Sequence, residues 1–278
     1  MGLAASVIIR AKDEAATIER ALRLVRAQTV GAEVIVVDSG SRDGTVDIAR
    51  RYCDQMIEIP AEQFTYGHAL NLGAAAASGD VHFALSAHCF PEQADWIERS
   101  LTHYARPEVA GTGSHRTLAD GTPLTETFHQ DLTYARAHPE WGFTNHASSW
   151  RASVWNEFPF DEQLAAAEDR EWAFRVLATG YVIAFDPYLW VGYSHSWHGS
   201  VAVMFSRARK DARALHVIAD MPPYRLHDLL LEWWKETPDD RHSAFAHRFL
   251  NYRRHTQLFG KYVGHRDGRR EASAAAPQ

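Results

Sequence analysis

Two adjacent carboxylates, Glu168 and Asp169, stand at the front of a segment with the apolar spacing of an α-helix. The helix dipole favours negative charge in a first turn and helps to hold it in place. An ionised carboxylate fixed at the edge of a cleft can remove a proton from a hydroxyl group. Acidic residues are also common at helix starts without any such role, so the meaning of this pair depends on its surroundings.

The elements before this pair predict an α/β fold. Apolar runs predict buried strands at 6–10, 33–37, 56–59 and 81–85, and helical spacing predicts helices at 14–28, 44–49 and 68–78. This alternation predicts a mostly parallel sheet with helices on both faces. Ligands of such sheets bind beyond the carboxyl ends of the strands. The further elements predicted are a strand at 109–115, a helix within 124–137 and a strand pair between 181 and 194.

Length and composition limit the class of protein. The chain has 278 residues, of which 46% are hydrophobic, so it can bury a core as one large or two closely joined domains. A net charge of −6 argues against nucleic acid as the main partner. The two cysteines, Cys53 and Cys89, have no metal-ligand spacing, and neither a secretory signal nor a long apolar run is visible. We therefore expect a cytoplasmic protein without disulfides.

The C-terminal part differs in pattern from the rest. Residues 199–265 are predicted as a helical region, interrupted at Pro222–Pro223 and Pro238, and 266–278 as a disordered tail. Lys and Arg outnumber Asp and Glu after residue 199. Aromatic and basic residues in this part predict an amphipathic surface. Peripheral membrane contact, packing within the chain and a homodimer interface all remain open for it.

Four segments form an ordered set of motifs: SVIIRAKDEAATIERALRLVRAQT, EVIVVDSGSRDGT, GHALNLGAAAASGD and AEDREWAFRVLATGY. Together they resemble family 2 glycosyltransferases of the GT-A fold, in particular rhamnosyltransferase-like bacterial members. The VVDSGSRDGT stretch is the most specific of them, and the resemblance covers about residues 4–198. It implies that 1–198 form a GT-A nucleotide-sugar-binding and catalytic domain with a Rossmann-like sheet.

The same resemblance implies an inverting transfer of a hexosyl or deoxyhexosyl group from a nucleoside diphosphate-sugar to an acceptor hydroxyl. Asp169 would be the general base, and Glu168 would orient the sugar hydroxyls or the helix start. Polysaccharide, lipid-linked and natural-product acceptors all remain open. The resemblance places four residues near the acceptor, where they could stack on or hydrogen-bond a sugar: Trp141, Asn145, His146 and Trp150. The alternatives are a nucleotide-sugar-binding protein without activity and a nucleotidyltransferase. The latter is disfavoured because residues 10–14 contain no phosphate-binding glycine.

The predicted donor site lies at the ends of the strands. Asp38 closes a buried strand, where its carboxylate can accept hydrogen bonds from a nucleobase or a ribose. The resemblance implies that Asp38 binds the nucleoside and that Asp13 or Glu14 lines the base. Ser39 and Ser86 belong to the same predicted edge of the sheet.

The chain departs from the family pattern in the third loop and helix. Many relatives carry an arginine before the asparagine, whereas this chain has Leu70 before Asn71. We expect Asn71 to remain a donor contact and His68 to compensate in part for the missing arginine.

A second departure concerns the metal motif. His88 stands where the family places a metal-binding carboxylate, and His195 stands where GT-A enzymes often supply a last histidine ligand. Imidazole suits Mn²⁺ better than Mg²⁺, which prefers oxygen ligands. The sequence leaves two interpretations open: His88 and His195 hold a divalent metal, or His88 contacts the donor diphosphate directly.

Four basic residues are further candidates. Arg10 and Lys12 occupy positions that are usually uncharged in the family, either as extra phosphate contacts or as solvated neighbours of the site. Arg207 and Lys210 could neutralise a leaving diphosphate if no metal binds. The alternative for Arg207 and Lys210 is that they lie on the solvated face of a helix.

Overall fold

A computed structural model describes residues 2–194, 201–219, 221, 224–234 and 252–275. The chain divides into two compact units. The first, here called the sheet unit, comprises Met1–Leu164 and Glu168–His195. The second, here called the helical unit, comprises Ala165–Ala167 and Ser196–Gln278.

The strands of the sheet unit form one large and one small sheet. They are β1 (Ala5–Ala11), β2 (Ala32–Asp38), β3 (Gln55–Glu58), β4 (Val81–Ser86), β5 (Cys89–Phe90), β6 (Val109–Gly113), β7 (Phe128–Gln130), β8 (Ala147–Arg151), β9 (Val182–Phe185) and β10 (Gly192–Tyr193). Eight of them form the large sheet in the order β3-β2-β1-β4-β8-β6-β9-β7, and β5 pairs with β10. The strands β3, β2, β1 and β4 are mutually parallel, whereas β8 is antiparallel to both of its neighbours.

Helices cover both faces of this sheet. They are α1 (Ile18–Arg26), α2 (Thr45–Ala49), α3 (Tyr66–Ala76), α4 (Trp96–His103), α5 (Leu132–Ala137), α6 (Ala152–Glu157) and α7 (Glu168–Leu177). Successive residues of β1 belong to different cores because side chains alternate along a strand. Val7 packs in the core with Leu22 of α1, and Ile8 packs in the opposite core with Leu70 of α3 and Trp172 of α7. The predicted mostly parallel sheet with helices on both faces is confirmed.

One sequence prediction about the strands is wrong. The two strands predicted between 181 and 194 exist but do not pair with each other: β9 lies between β6 and β7, whereas β10 pairs with β5. A short 3₁₀ helix, Pro187–Leu189, separates them, and Asp186 caps it by accepting a hydrogen bond from Tyr188 N. This turn redirects the chain from the large sheet to the small one.

The helical unit contains α8 (Val201–Ile218), α9 (Leu226–Trp234) and α10 (Tyr252–Ala275). The predicted disordered tail is wrong for 266–275, which continue α10. Gly264 of α10 lies so close to α8 that an added Cβ would stand 2.3 Å from the carbonyl oxygen of Arg209. The Arg209 guanidinium also donates to Asp267 at 2.7 Å. Packing of this kind stabilises a glycine-containing helix that local propensity disfavours.

Within the described parts of both units, no helix combines the length and the apolar character needed to cross a bilayer.

Candidate active site

The carboxyl ends of three parallel strands lie side by side, as the sequence predicts. Arg10 near the end of β1 is in register with Val37 of β2 on one side and Ser86 of β4 on the other. Ala11 is in register with Asp38. The backbone N–H of Ser86 donates to His146 O at 2.8 Å, which joins this edge to the segment before β8.

Asp38 is buried and organises its own turn. Its Oδ1 accepts hydrogen bonds from the backbone N–H groups of Gly40 at 2.9 Å and Ser41 at 2.8 Å, and its Oδ2 accepts one from the Ser41 hydroxyl. Ser39, also buried, donates its N–H to Ala11 O at 3.0 Å. These contacts explain the acidic residue at the strand end as a turn former, and its role in nucleoside binding stays a prediction.

The loops after β1 and β2 are bound to each other by side chains of the DSGSRDGT motif. Asp13 has a left-handed backbone with φ 52°, and its Oδ1 accepts a hydrogen bond from Arg42 N at 2.8 Å. The N–H of Asp13 donates to Ser41 Oγ and that of Glu14 to Thr45 Oγ1, both at 2.8 Å. The motif therefore gives the β1 loop, with Asp13 and Glu14, a defined shape.

Glu14 and His88 form a pair across this edge. The Nδ1 of His88 lies 2.7 Å from Glu14 Oε1, and the Thr17 hydroxyl donates to Glu14 Oε2 at 2.7 Å. Burial alone would raise the pKa of Glu14, but the hydrogen bonds from His88 and Thr17 outweigh it and lower that pKa. A carboxylate bound to one imidazole nitrogen fixes the ring and directs the other nitrogen outward, an arrangement typical of metal-bound histidines.

The small sheet brings the chain before His195 to His88. The N–H of Ser194 donates to His88 O at 3.0 Å, next to the pairing of β5 with β10. His195 itself lies outside the described residues. The described residues contain no group of three or more histidine, cysteine or acidic side chains arranged to hold a metal. His88 fits the role of a single imidazole ligand, and a metal site at this edge needs further ligands.

His68 and Asn71, predicted as donor contacts, are used within the protein. The Nδ1 of His68 lies 2.9 Å from Glu162 Oε2. The Asn71 amide donates to Phe160 O and Glu162 Oε1 and accepts from Trp155 Nε1 and Phe160 N, all between 2.8 and 3.0 Å. Both donors and both acceptor positions of this amide are therefore occupied. This placement argues against a direct donor contact for Asn71 and indicates that it anchors the segment before α7.

The acid pair opens α7. Asp169, which is half-buried, accepts hydrogen bonds from Arg170 N at 2.8 Å and Asn145 N at 3.1 Å. Glu168 is only 4% exposed, and its Oε1 accepts a bond from Asn145 Nδ2 at 3.3 Å. Burial and the adjacent charge of Asp169 raise the pKa of Glu168 to about 7, against a smaller lowering by Arg10. Ala167, just before the pair, has φ 61°, a strained conformation for a residue with a side chain.

Arg10 joins this pair to the end of β1. Its Nη2 donates to Asn145 O at 2.6 Å, and its Nη1 lies 3.9 Å from Glu168 Oε1. The side chain is 11% exposed, which excludes a solvated neighbour, one of the two alternatives left open for Arg10. Lys12, its companion in the sequence, donates to Ser39 O at 3.1 Å. The acid pair and the strand edge thus belong to one site.

Comparison with known proteins identifies the family. The model of "Glycosyl transferase family 2" matches residues 6–165. The chain belongs to this family. Among curated relatives, "Glycosyltransferase AglE" from Haloferax volcanii is 30% identical over 194 residues, 65% of this chain and 63% of the relative. "O-antigen chain rhamnosyltransferase RfbN" from Salmonella typhimurium is 26% identical over 193 residues, 63% of this chain and 62% of the relative. The chain thus spans less than two thirds of the length of these relatives.

Solved structures show the GT-A fold of this family member. "Mannosyltransferase PcManGT from Pyrobaculum calidifontis in complex with GDP-Man and Mn2+" superposes with a TM-score of 0.61 at 17% identity, covering 100% of this chain and 77% of that one. Glucosyl-3-phosphoglycerate synthase from Mycobacterium tuberculosis, in complex with Mn2+, UDP and glucosyl-3-phosphoglycerate, gives 0.60 at 17% identity, covering 80% and 81%. The fold predicted from the four motifs is confirmed.

Two features of this family 2 member were not predicted from its sequence. Asn145 was expected only as an acceptor contact, yet it bonds to both carboxylates and to Arg10. Tyr66 was not singled out at all, although its ring centre lies 5.4 Å from the Arg10 guanidinium. Neither contact has a local signal, because each joins parts of the chain far apart in sequence.

The remaining candidates belong to the helical unit or to the core of the sheet unit. Arg207 and Lys210 belong to α8 of the helical unit, and their role toward a diphosphate stays a prediction. Trp150 is fully buried and belongs to the core. Trp141 stacks on His115 at 4.4 Å and packs against Phe185 at 4.6 Å. These contacts favour a packing role over sugar stacking for both tryptophans.

Proposed function

We propose that the protein transfers a sugar from a nucleoside diphosphate-sugar to an acceptor hydroxyl with inversion of configuration. The observation that carries this proposal is the acid pair at the start of α7, bound through Asn145 and Arg10 to the carboxyl end of β1. This is the edge at which a sheet of this kind binds its ligands. Membership of glycosyl transferase family 2 and the GT-A fold agree with it.

In the proposed reaction, Asp169 takes the proton of the acceptor hydroxyl as its oxygen attacks the anomeric carbon. The attack comes from the face opposite the diphosphate, so the bond from the anomeric carbon to the diphosphate oxygen breaks and the nucleoside diphosphate leaves with that electron pair. The two backbone N–H groups on Asp169 fix its carboxylate for this role. Glu168, behind it, holds the start of the helix and orients the pair.

The donor would lie along the loops after β1 and β2, with Asp13, Glu14, Asp38 and Ser39 beside the nucleoside. Solved structures similar in fold contain GDP-Man or UDP together with Mn2+. In this chain His88, fixed by Glu14, and His195 would hold a divalent metal, which when bound would neutralise charge on the diphosphate. His88 could also reach the diphosphate without a metal. The hexose or deoxyhexose, the nucleobase and the acceptor class, whether glycan, lipid-linked or small molecule, are to be found by assay.

The test is incubation of the purified full chain with a panel of sugar nucleotides and acceptors, with Mn²⁺ or with EDTA. We expect acceptor-dependent release of nucleoside diphosphate for at least one donor. Analysis of the product by NMR should show the anomeric configuration opposite to that of the donor. Release of pyrophosphate would instead indicate a nucleotidyltransferase. Binding of a donor without turnover across the acceptor panel would indicate a nucleotide-sugar-binding protein.

A further inference from the structure

Arg10 is an almost fully buried cation at the end of a central strand. The side chain is 11% exposed and its guanidinium lies over the ring of Tyr66, 5.4 Å from the ring centre. Its Nη2 donates a short hydrogen bond of 2.6 Å to Asn145 O. Burying a charge is costly unless the charge is compensated. The compensation here comes from a backbone carbonyl and from Glu168, whose Oε1 is 3.9 Å away.

Asn145 connects Arg10 to both members of the acid pair. It is 2% exposed, its backbone N–H donates to Asp169 at 3.1 Å, and its side-chain amide donates to Glu168 at 3.3 Å. Arg10 holds the carbonyl of the same residue. A displacement of Asn145 would therefore move the hydrogen-bond donors of both carboxylates together.

The ionisable groups around the pair come from three parts of the chain. Glu168 and Asp169 repel each other on one turn of α7, and burial already disfavours the ionised form of Glu168. Arg10 faces them from β1, whereas His146, which faces Asp169 from the segment before β8, is neutral near pH 7 because desolvation lowers its pKa to about 4. Arg170, on the same helix, donates instead to Phe143 O and Pro139 O. Arg10 is thus a permanent positive charge directed at the pair, since arginine keeps its proton.

We propose that Arg10 is a positioning residue of the transfer reaction, which holds Asn145 and both carboxylates of α7 in place and balances their negative charge. This inference rests on the proposed function. It differs from the role of a phosphate contact, because the guanidinium acts on the acid pair and not on the donor.

The first test compares Arg10→Met, which removes the charge at similar length, with Arg10→Lys, which keeps the charge without the planar fork. For Arg10→Met we expect kcat to fall about tenfold or more, the scale of a lost hydrogen bond to a charged group. We also expect the acid limb of kcat/KM to move to higher pH, while the Kd of the nucleoside diphosphate stays unchanged. For Arg10→Lys we expect a lower kcat but an acid limb close to that of the wild type.

The second test does not require activity. The Glu168 carboxyl is followed by ¹³C NMR during a pH titration of the wild type and both variants. Its midpoint should rise in Arg10→Met, because loss of a nearby positive charge disfavours the carboxylate. Arg20→Met is the matched control, since Arg20 also pairs with a carboxylate, Glu92, and lies over a ring, that of Phe90, but is exposed. In this control the titration midpoint of Glu168 should equal that of the wild type.

The outcomes separate the two proposals. An unchanged Glu168 midpoint in folded Arg10→Met would overturn the inference, and so would weaker binding of the nucleoside diphosphate. If Arg10→Met does not fold, Arg10→Lys decides, because wild-type kcat in that variant contradicts a positioning role. If the wild type releases no nucleoside diphosphate from any donor, the proposed function fails, while the NMR titration still reports whether Arg10 balances the pair.

Discussion

Two buried carboxylates, each beside an arginine, differ sharply in their surroundings. Asp186 is 1% exposed, and its oxygens accept hydrogen bonds from Arg99 at 2.7 and 3.3 Å and from His103 at 2.9 Å. Burial alone would raise the pKa of Asp186, but these bonds lower it to about 2. Glu168 is 4% exposed, yet its nearest guanidinium nitrogen, on Arg10, is 3.9 Å away.

The difference separates a structural carboxylate from one suited to chemistry. Asp186 remains ionised and joins α4 to the segment after β9. Glu168 shares its turn with a second carboxylate, and its raised pKa of about 7 places its titration near neutral pH. Perturbed groups of this kind, in a site that also holds a second acid, are typical of catalytic centres. The buried carboxyl of the candidate active site, Glu168, thus differs from the structural one, Asp186, in having no close ion pair among the described residues to compensate its charge.

The largest expected effect is on Asp169, the half-buried neighbour of Glu168. Asp169→Asn should lower turnover by at least about 100-fold, because the general base is lost, while donor binding is kept. The assay is acceptor-dependent release of nucleoside diphosphate together with calorimetric donor binding. Glu171→Gln, on the same helix but paired with Arg175, is the control and should keep near wild-type turnover. Near-normal turnover in Asp169→Asn would exclude this residue as the base.

At Asp186 we expect a loss of stability. Its pKa in the folded protein is about 2 against an ordinary 3.8, so Asp186→Asn should reduce the free energy of unfolding by about 2 kcal/mol at pH 7. Because the folded pKa is depressed, this stabilisation is present above about pH 4 and is lost as the pH falls toward 2. Urea unfolding at pH 7 and pH 3 measures it, with the exposed Asp47→Asn as the control. An equal difference at both pH values would contradict the pairing.

At Glu168 we expect the opposite dependence of stability on pH. The folded pKa is raised from 4.5 to about 7, so the folded protein holds a proton that the unfolded chain releases, and stability falls as the pH rises through this window. Glu168→Gln removes this dependence and should increase the free energy of unfolding at pH 8 by about 1 kcal/mol or more. Urea unfolding at pH 5 and pH 8 tests this. If Glu168→Gln were less stable than the wild type at pH 8, the Glu168 carboxylate would stabilise the fold as that of Asp186 does, and the proposed difference between the two would be wrong.

Local pattern was sufficient for β1 to β4, for α1 to α3, for the acid pair and for the family, but it did not predict β5 or α4. Buried strands and amphipathic helices depend on neighbours within a few residues, and the DSGSRDGT motif forms its turn through its own side chains. It was not sufficient for the partners of β9 and β10, since pairing depends on the path of the chain between them. Nor did it predict the ordered end of α10. Glycine disfavours a helix by itself, and the glycines of α10 are accommodated because α8 packs directly against them.

Only the tertiary structure shows which polar residues hold the fold together and which serve the candidate active site. Asn71 and Asn145 are the same residue type at a predicted site, yet one amide is saturated by its surroundings and the other serves the acid pair. Arg10 meets Asn145 across 135 positions of sequence. Hydrogen bonds and charge compensation act over a few ångströms in space, whatever the separation along the chain. A motif can therefore place a residue at the sheet edge, whereas its partners there follow from packing.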